Sequence, residues 1–126
     1  MSVGFDALGL ALAPLDGTLL GDLVRLEEAA AGDDWNLELE GSFASALPPD
    51  QEQNIVISCC RAFQAEAARR GQEVRPLKVI LNKRLPIGSG LGSSASSIVA
   101  ALEALNRWHD NLLNMHEIFR MMAQME

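Results

Sequence analysis

The stretch Pro86-Ile87-Gly88-Ser89-Gly90-Leu91-Gly92-Ser93-Ser94-Ala95-Ser96-Ser97 decides how this chain is read. Gly88, Gly90 and Gly92 can adopt backbone angles closed to other residues, so successive N–H groups can converge on one anion. A flexible linker has a similar composition, but its flanks carry no regular pattern. Here Leu77, Val79 and Leu81 alternate upstream with Lys78, Ile80 and Asn82, an imperfect period of two that predicts a mostly buried strand. Downstream, Ile98, Leu102, Leu105 and Trp108 recur at helical spacing, with Ala100, Ala101 and Ala104 between them. Strand, Gly/Ser loop and helix in that order make a candidate phosphate cradle. The helix start contributes unpaired N–H groups and the positive end of its dipole. Two familiar loops do not fit. A Walker A loop needs a Lys before its terminal Ser or Thr, and no Lys follows Lys83; the dinucleotide fingerprint spaces its glycines differently.

The whole chain sets wider bounds. Its 126 residues, 48% of them apolar, amount to one domain or less with a real core. Tyr is absent and aromatics make up 5%, so that core must be built mainly from Leu, Ala, Val and Met. A net charge of −7 argues against nucleic acid as the main partner, whereas a nucleotide held by a local nest of N–H groups remains compatible. No apolar run approaches membrane-spanning length and no secretory signal opens the chain, so neither membrane nor export is expected. Cys59 and Cys60 are adjacent on an expected helix and point apart, which favours free thiols in a reducing cytoplasm over a disulfide. His109 and His116 fall on different expected helices, and no Cys/His spacing resembles a zinc site.

Toward the N-terminus, residues 3–12 are apolar around one acid, Asp6, and residues 14–17 read as a turn. A strand is expected over residues 20–30 and a half-exposed one around Trp35, Leu37 and Leu39. Asp50 with Gln53 resembles a capping box and predicts a helix start, with Ile55, Cys59, Phe63 and Ala67 as its apolar face and Arg69-Arg70-Gly71 as its close. Asn114 with Glu117 repeats the start signal, and Met115, Ile118, Met122 and Met125 then line one helical face. That methionine stripe reads as core rather than cofactor site, yet the chain ends at Glu126 with nothing in view to cover it. The element order predicts an α+β fold that looks unfinished at both ends.

Taken from the residues alone, several of these groups have plain structural readings. Asp6 in an apolar segment needs a partner in any fold. Ser93 and Ser94 serve equally as helix N-caps or as phosphate ligands, since both uses exploit the same helix end. Asn54 reads as a helix-start residue and Glu126 as a charged terminus.

The loop resembles the phosphate-binding motif of the GHMP kinase superfamily, Pro-x-Gly-x-Gly-Leu-Gly-Ser-Ser followed by small residues, which Pro86 to Ala95 match throughout. Ser2-Val3-Gly4-Phe5-Asp6-Ala7-Leu8-Gly9 resembles the first motif of the homoserine kinases, and similarity continues through Leu20-Gly21-Asp22 and Asn54-Ile55-Val56. The resemblance implies the N-terminal, ATP-binding domain of that fold over residues 1–126, with mixed or antiparallel strands packed against helices. It implies transfer of the ATP γ-phosphoryl group to the hydroxyl of L-homoserine, a step towards threonine. Backbone N–H groups from Gly88 through Ser94, within the motif Pro86 to Ser96, would wrap the phosphates. Ser94 and Glu126 would hold Mg²⁺, Asp6 would meet the homoserine amino or hydroxyl end, and Asn54 and Lys78 would lie near the nucleotide base. Family members often dimerise.

No catalytic base stands out: His109 and His116 lie outside the matched motifs. The family's Asn and first strand before Met1, its His-x-Asp-Asn region after Glu126 and its C-terminal domain with substrate-binding arginines have no counterpart in this sequence. Poor turnover of homoserine is therefore expected. A nucleotide-binding module without turnover, or another small-molecule kinase of mevalonate type, are the other readings.

Overall fold

Residues 77–82, expected as a buried strand, form one of the two inner strands of a four-stranded sheet in the computed structural model, which describes residues 7–10, 22–41, 43–83 and 93–125. In chain order the elements are β1 (Ala7–Leu10), β2 (Leu23–Glu28), β3 (Asn36–Glu40), α1 (Ile55–Arg69), β4 (Leu77–Asn82), α2 (Ser93–Trp108) and α3 (Met115–Met125). Short 3-10 turns at Ala44–Ala46 and Gln51–Gln53 precede α1. The sheet order is β1-β2-β4-β3; β2 runs antiparallel to β1 and β4, and β3 runs parallel to β4. This is the expected α+β architecture. The parallel β3–β4 pair requires a crossover, and α1 supplies it.

Register makes one face of the sheet apolar. Val24 pairs with Leu81 and Leu26 with Val79 across β2–β4, while Leu37 pairs with Val79 and Leu39 with Leu81 across β3–β4. Because side chains alternate along a strand, these rows point the same way. They meet Val56, Phe63 and Ala67 of α1 and Ile98, Leu102 and Leu105 of α2 in one core. Alanines at 100, 101 and 104 let α2 lie close against its neighbours. Glu38 and Glu40 of β3 stay exposed on the opposite face, as the half-exposed pattern predicts.

Two helix expectations are corrected. Asp50 caps only the 3-10 turn, accepting from the Glu52 N–H at 3.0 Å, and α1 starts one turn later under Asn54, whose side chain accepts from the Val56 N–H at 2.8 Å. The Gln51 side chain, which donates to the Trp35 carbonyl at 2.8 Å and accepts from the Leu37 N–H at 3.0 Å, ties the intervening turn to β3. In α3 the Asn114–Glu117 capping box forms in both directions at 2.9 Å. The buried residues there are Ile118 and Met121, with Met122 and Met125 half-buried against the core, while Met115 is 72% exposed. The stripe is therefore covered, by α2 and α1, and its first methionine lies beyond the contact. At the other end of α1, Gly71 takes φ +76° and the Gln72 N–H reaches the Ala67 carbonyl at 2.9 Å, a glycine-terminated close as the sequence predicts.

Cys59 and Cys60 are free and buried. Burial pushes the Cys59 thiol up to about 12, and burial together with the neighbouring thiol pushes Cys60 up further. The thiolate is the reactive form. At pH 8 the native protein is expected to leave both thiols unmodified by a charged aromatic disulfide, with two equivalents reacting after denaturant is added. Reaction of the native protein at the rate of free cysteine would contradict this burial. Among the described residues no helix is long and apolar enough to cross a membrane.

Candidate functional site

The Gly/Ser stretch leaves the C-terminal end of β4 and enters the first turn of α2, the element order expected of a phosphate cradle. Pro86, Ile87, Gly88, Ser89, Gly90, Leu91 and Gly92 lie outside the described residues, as do Asp6 and Glu126. Ser93 and Ser94 are described as backbone of the first turn of α2, where N–H groups have no partner within the helix. Ala95 is half-buried. Ser96 turns inward: it is 3% exposed, and its hydroxyl accepts from the Asp22 N–H at 2.8 Å.

Directly beneath this helix start lies a charged cluster that sequence reading did not single out. Lys83, the residue after β4, is 2% exposed, and Asp22, just before β2, is fully buried. Lys83 Nζ donates to Asp22 Oδ2 at 2.7 Å and to Ser97 Oγ at 3.2 Å; the Ser97 hydroxyl donates to the same Asp22 oxygen at 2.7 Å. Three elements thus meet at one ion pair. On its backbone side Lys83 is held by the end of β3, donating to the Glu40 carbonyl at 2.8 Å and accepting from the Phe43 N–H at 3.4 Å. Gly41, with φ +99°, makes that approach: a Cβ there would stand 2.6 Å from the Lys83 carbonyl oxygen and 2.9 Å from its nitrogen. A lysine three residues before the loop was the available signal, but its partner lies 61 residues away. No periodicity reports that separation.

The residues carried over for a nucleotide base are not brought together. Asn54 is buried, with its side-chain oxygen capping α1. Lys78 alternates with Leu77 and Val79 and so points from the opposite face of the sheet, pairing with Glu38 at 3.0 Å. That carboxylate raises the Lys78 pKa.

The two histidines lie beyond the end of α2 in the chain. His116 is exposed on α3. His109 follows the last residue of α2, about 24 Å from its start at ~1.5 Å rise per residue. Its ring stacks on Phe63 with centroids 5.7 Å apart, and its Nε2 is buried with no partner among the described residues. Burial lowers its pKa, against a weaker opposite pull from Asp110. The unfolded chain therefore takes up this proton at a higher pH than the folded one. Stability should fall as pH drops below the ordinary histidine value, and level off once the folded state is protonated too. Urea unfolding between pH 7.5 and 5 measures this, and His109→Phe should flatten part of the slope; an unchanged slope refutes it.

An open depression of ≈ 950 Å³ lies at the far end of the sheet, lined by Glu28, Asp33, Glu73, Arg75, Trp108 and His109 among others. It adjoins the start of β4 and the end of α2, the opposite ends of these elements from Lys83 and Ser93, and its acidic rim does not suit phosphate. Among the described residues no His, Cys, Asp and Glu cluster could hold a metal ion. The Ser94 side chain and Glu126, carried over for Mg²⁺, are not among the described groups.

Comparison with known proteins spans nearly the whole chain. The profile of a family described as GHMP kinases N terminal domain matches residues 54–126. Homoserine kinase from Cytophaga hutchinsonii matches with a TM-score of 0.70 and 27% identity, over 97% of this chain and 39% of that one. Phosphomevalonate kinase of Streptococcus pneumoniae matches at TM-score 0.61 and 18% identity, over 82% of this chain and 30% of that one. Mevalonate kinase of methicillin-resistant Staphylococcus aureus MRSA252 matches at 0.59 and 19%, over 99% and 38%. The last two share the fold. The chain spans well under half the length of each of these solved kinases.

Proposed function

Because this chain belongs to the GHMP kinase family through the N-terminal domain of that family, we propose that residues 1–126 form the ATP-binding domain of a small-molecule kinase acting on L-homoserine in the cytoplasm. The observation that carries the reading is the join of β4 to α2 by the Gly/Ser stretch, with its anchoring residues fixed beneath. Homoserine is favoured over mevalonate-type alcohols by the Gly4-Phe5-Asp6-Ala7-Leu8-Gly9 motif and by the 27% identity to a homoserine kinase.

The residues present suit ATP and Mg²⁺. Backbone N–H groups from Gly88 through Ser94, ending at a helix start, are donors for phosphate oxygens. The Ser94 hydroxyl and Glu126 carboxylate are the hard oxygen donors that Mg²⁺ prefers. Bound Mg²⁺ supplies charge neutralisation on the transferring phosphoryl group. The chain's own work is to bind and align: the loop N–H groups hold the phosphates, the α2 start faces their charge, and Asp6 orients the alcohol substrate through its amino or hydroxyl end. No side chain is assigned as a base, since phosphoryl transfer depends mostly on alignment and charge.

Titration calorimetry with Mg-ATP tests the phosphate site. Saturable binding, weakened at least 10-fold by Gly90→Val and reduced by Ser94→Ala, is expected; absence of binding by the native chain sinks the reading. ADP release with L-homoserine against mevalonate tests the alcohol. In a second reading, a nucleotide-binding module without turnover, Asp22 against the start of α2 is held by Lys83 and takes no part in chemistry. Binding of ATP with no ADP release from either alcohol would select it.

A further inference from the structure

The most unusual chemistry among the described residues is the ion pair sealed under the start of α2. Burying a charged pair is a weak source of stability, because desolvation offsets most of the attraction. An apolar trio of similar volume would hold these elements together as well. What the charged trio adds is direction and distance. Lys83 Nζ, Asp22 Oδ2 and Ser97 Oγ form a closed triangle with sides of 2.7, 3.2 and 2.7 Å, so no member can shift without breaking a charge-assisted bond. The Asp22 N–H adds a fourth bond, to Ser96 Oγ.

The placement of these bonds is selective. Lys83 lies three residues before the Gly/Ser stretch begins at Pro86, and Ser96 and Ser97 close that stretch within the first turns of α2. The network therefore ties the two ends of that stretch to each other and to the start of β2. From the β3 side, the Glu40 and Phe43 backbone bonds pin Lys83 as well.

We propose that Asp22, Lys83, Ser96 and Ser97 are positioning residues for the phosphate site: they lock the end of β4 against the first turns of α2 and so set the direction of the helix-start N–H groups that face the nucleotide phosphates. The proposal rests on the kinase reading for its ligand. Its physical content, a fixed separation between Lys83 and Ser97, is independent of that reading. Removing the network should cost nucleotide affinity while leaving the fold intact, the opposite of what a purely structural ion pair would do.

The decisive variant replaces the whole network with apolar groups, Asp22→Val/Lys83→Met/Ser97→Ala. Its melting temperature is expected to match or exceed the native one, while Mg-ATP affinity falls at least 10-fold by calorimetry. A folded triple variant that binds Mg-ATP with native affinity overturns the proposal. Should the triple variant fail to fold, Ser97→Ala alone decides. It removes one hydroxyl bonded to a buried charge, so the melting temperature should drop by several degrees while the variant stays folded, and Mg-ATP binding measured well below that temperature should weaken 3- to 10-fold; native affinity overturns the proposal. Should the native chain show no saturable Mg-ATP binding, the kinase reading falls, and the lock is judged by amide exchange at Asp22 and Lys83. Faster exchange at both in Ser97→Ala upholds it, and native exchange rates overturn it.

Discussion

Lys83→Met is expected to lower the unfolding free energy by about 3–5 kcal/mol, the cost of breaking a buried ion pair by removing one partner. Asp22 is fully buried and its Oδ2 accepts both from Lys83 Nζ and from the Ser97 hydroxyl. Methionine fills nearly the same volume as lysine, so little of the loss arises from packing. Among the described residues the Ser97 hydroxyl remains, and a neutral donor does not replace an ammonium group on a buried carboxylate. Urea unfolding at pH 7 measures the effect. The decisive contrast is with the apolar triple variant, in which the same lysine is absent together with the charge it neutralises. If Lys83→Met alone is as stable as the native protein, the carboxylate must be reached by water and the buried pair is misread.

Gly41→Ala is expected to destabilise by about 2–4 kcal/mol, through backbone strain of ~1–3 kcal/mol and overpacking of similar size that partly relieve each other. At φ +99° an L side chain is strained whatever the space around it. Here there is also no space: the new Cβ would meet Asn82 Oδ1 at 2.5 Å and the Lys83 carbonyl oxygen at 2.6 Å. The asparagine side chain can swing aside. The carbonyl cannot, because it accepts from the Phe43 N–H while the Lys83 N–H is bonded to Glu40. Gly32 and Gly71 provide the controls. Both have positive φ, yet nothing stands within 4 Å of a Cβ on either, so alanine there should show strain alone. A Gly41→Ala loss no larger than at Gly32 would mean that the backbone around Lys83 yields.

Local patterns made much of this fold legible. The alternation at residues 77–82, the helical spacing from Ile98 to Trp108, the Asn114–Glu117 box and the Arg70-Gly71 close each depend on neighbours within a few residues, and each formed. The misplaced start of α1 shows where that approach fails. Asp50 has the right chemistry for a cap, but the Gln51 side chain is engaged by the backbone of the strand segment at Trp35 and Leu37, and the helix waits for Asn54. The capping competition was settled by a residue in another element. Met115 shows the same limit: it has the spacing of the stripe, but only the packing of α3 on α2 and α1 decides which turn reaches the core.

By itself the sequence determined the strand–loop–helix order and the chemistry available to it, because backbone freedom, strand alternation and helix periodicity are all short-range properties. The motif from Pro86 to Ala95 is readable without coordinates for that reason. What only the tertiary structure decided is what lies beneath the start of α2. Asp22, Lys83 and Ser97 are ordinary residues until the antiparallel β2–β4 pairing and the packing of α2 bring them within 2.7–3.2 Å. Buried there, out of reach of water, they hold together the two ends of the stretch from which the reading began.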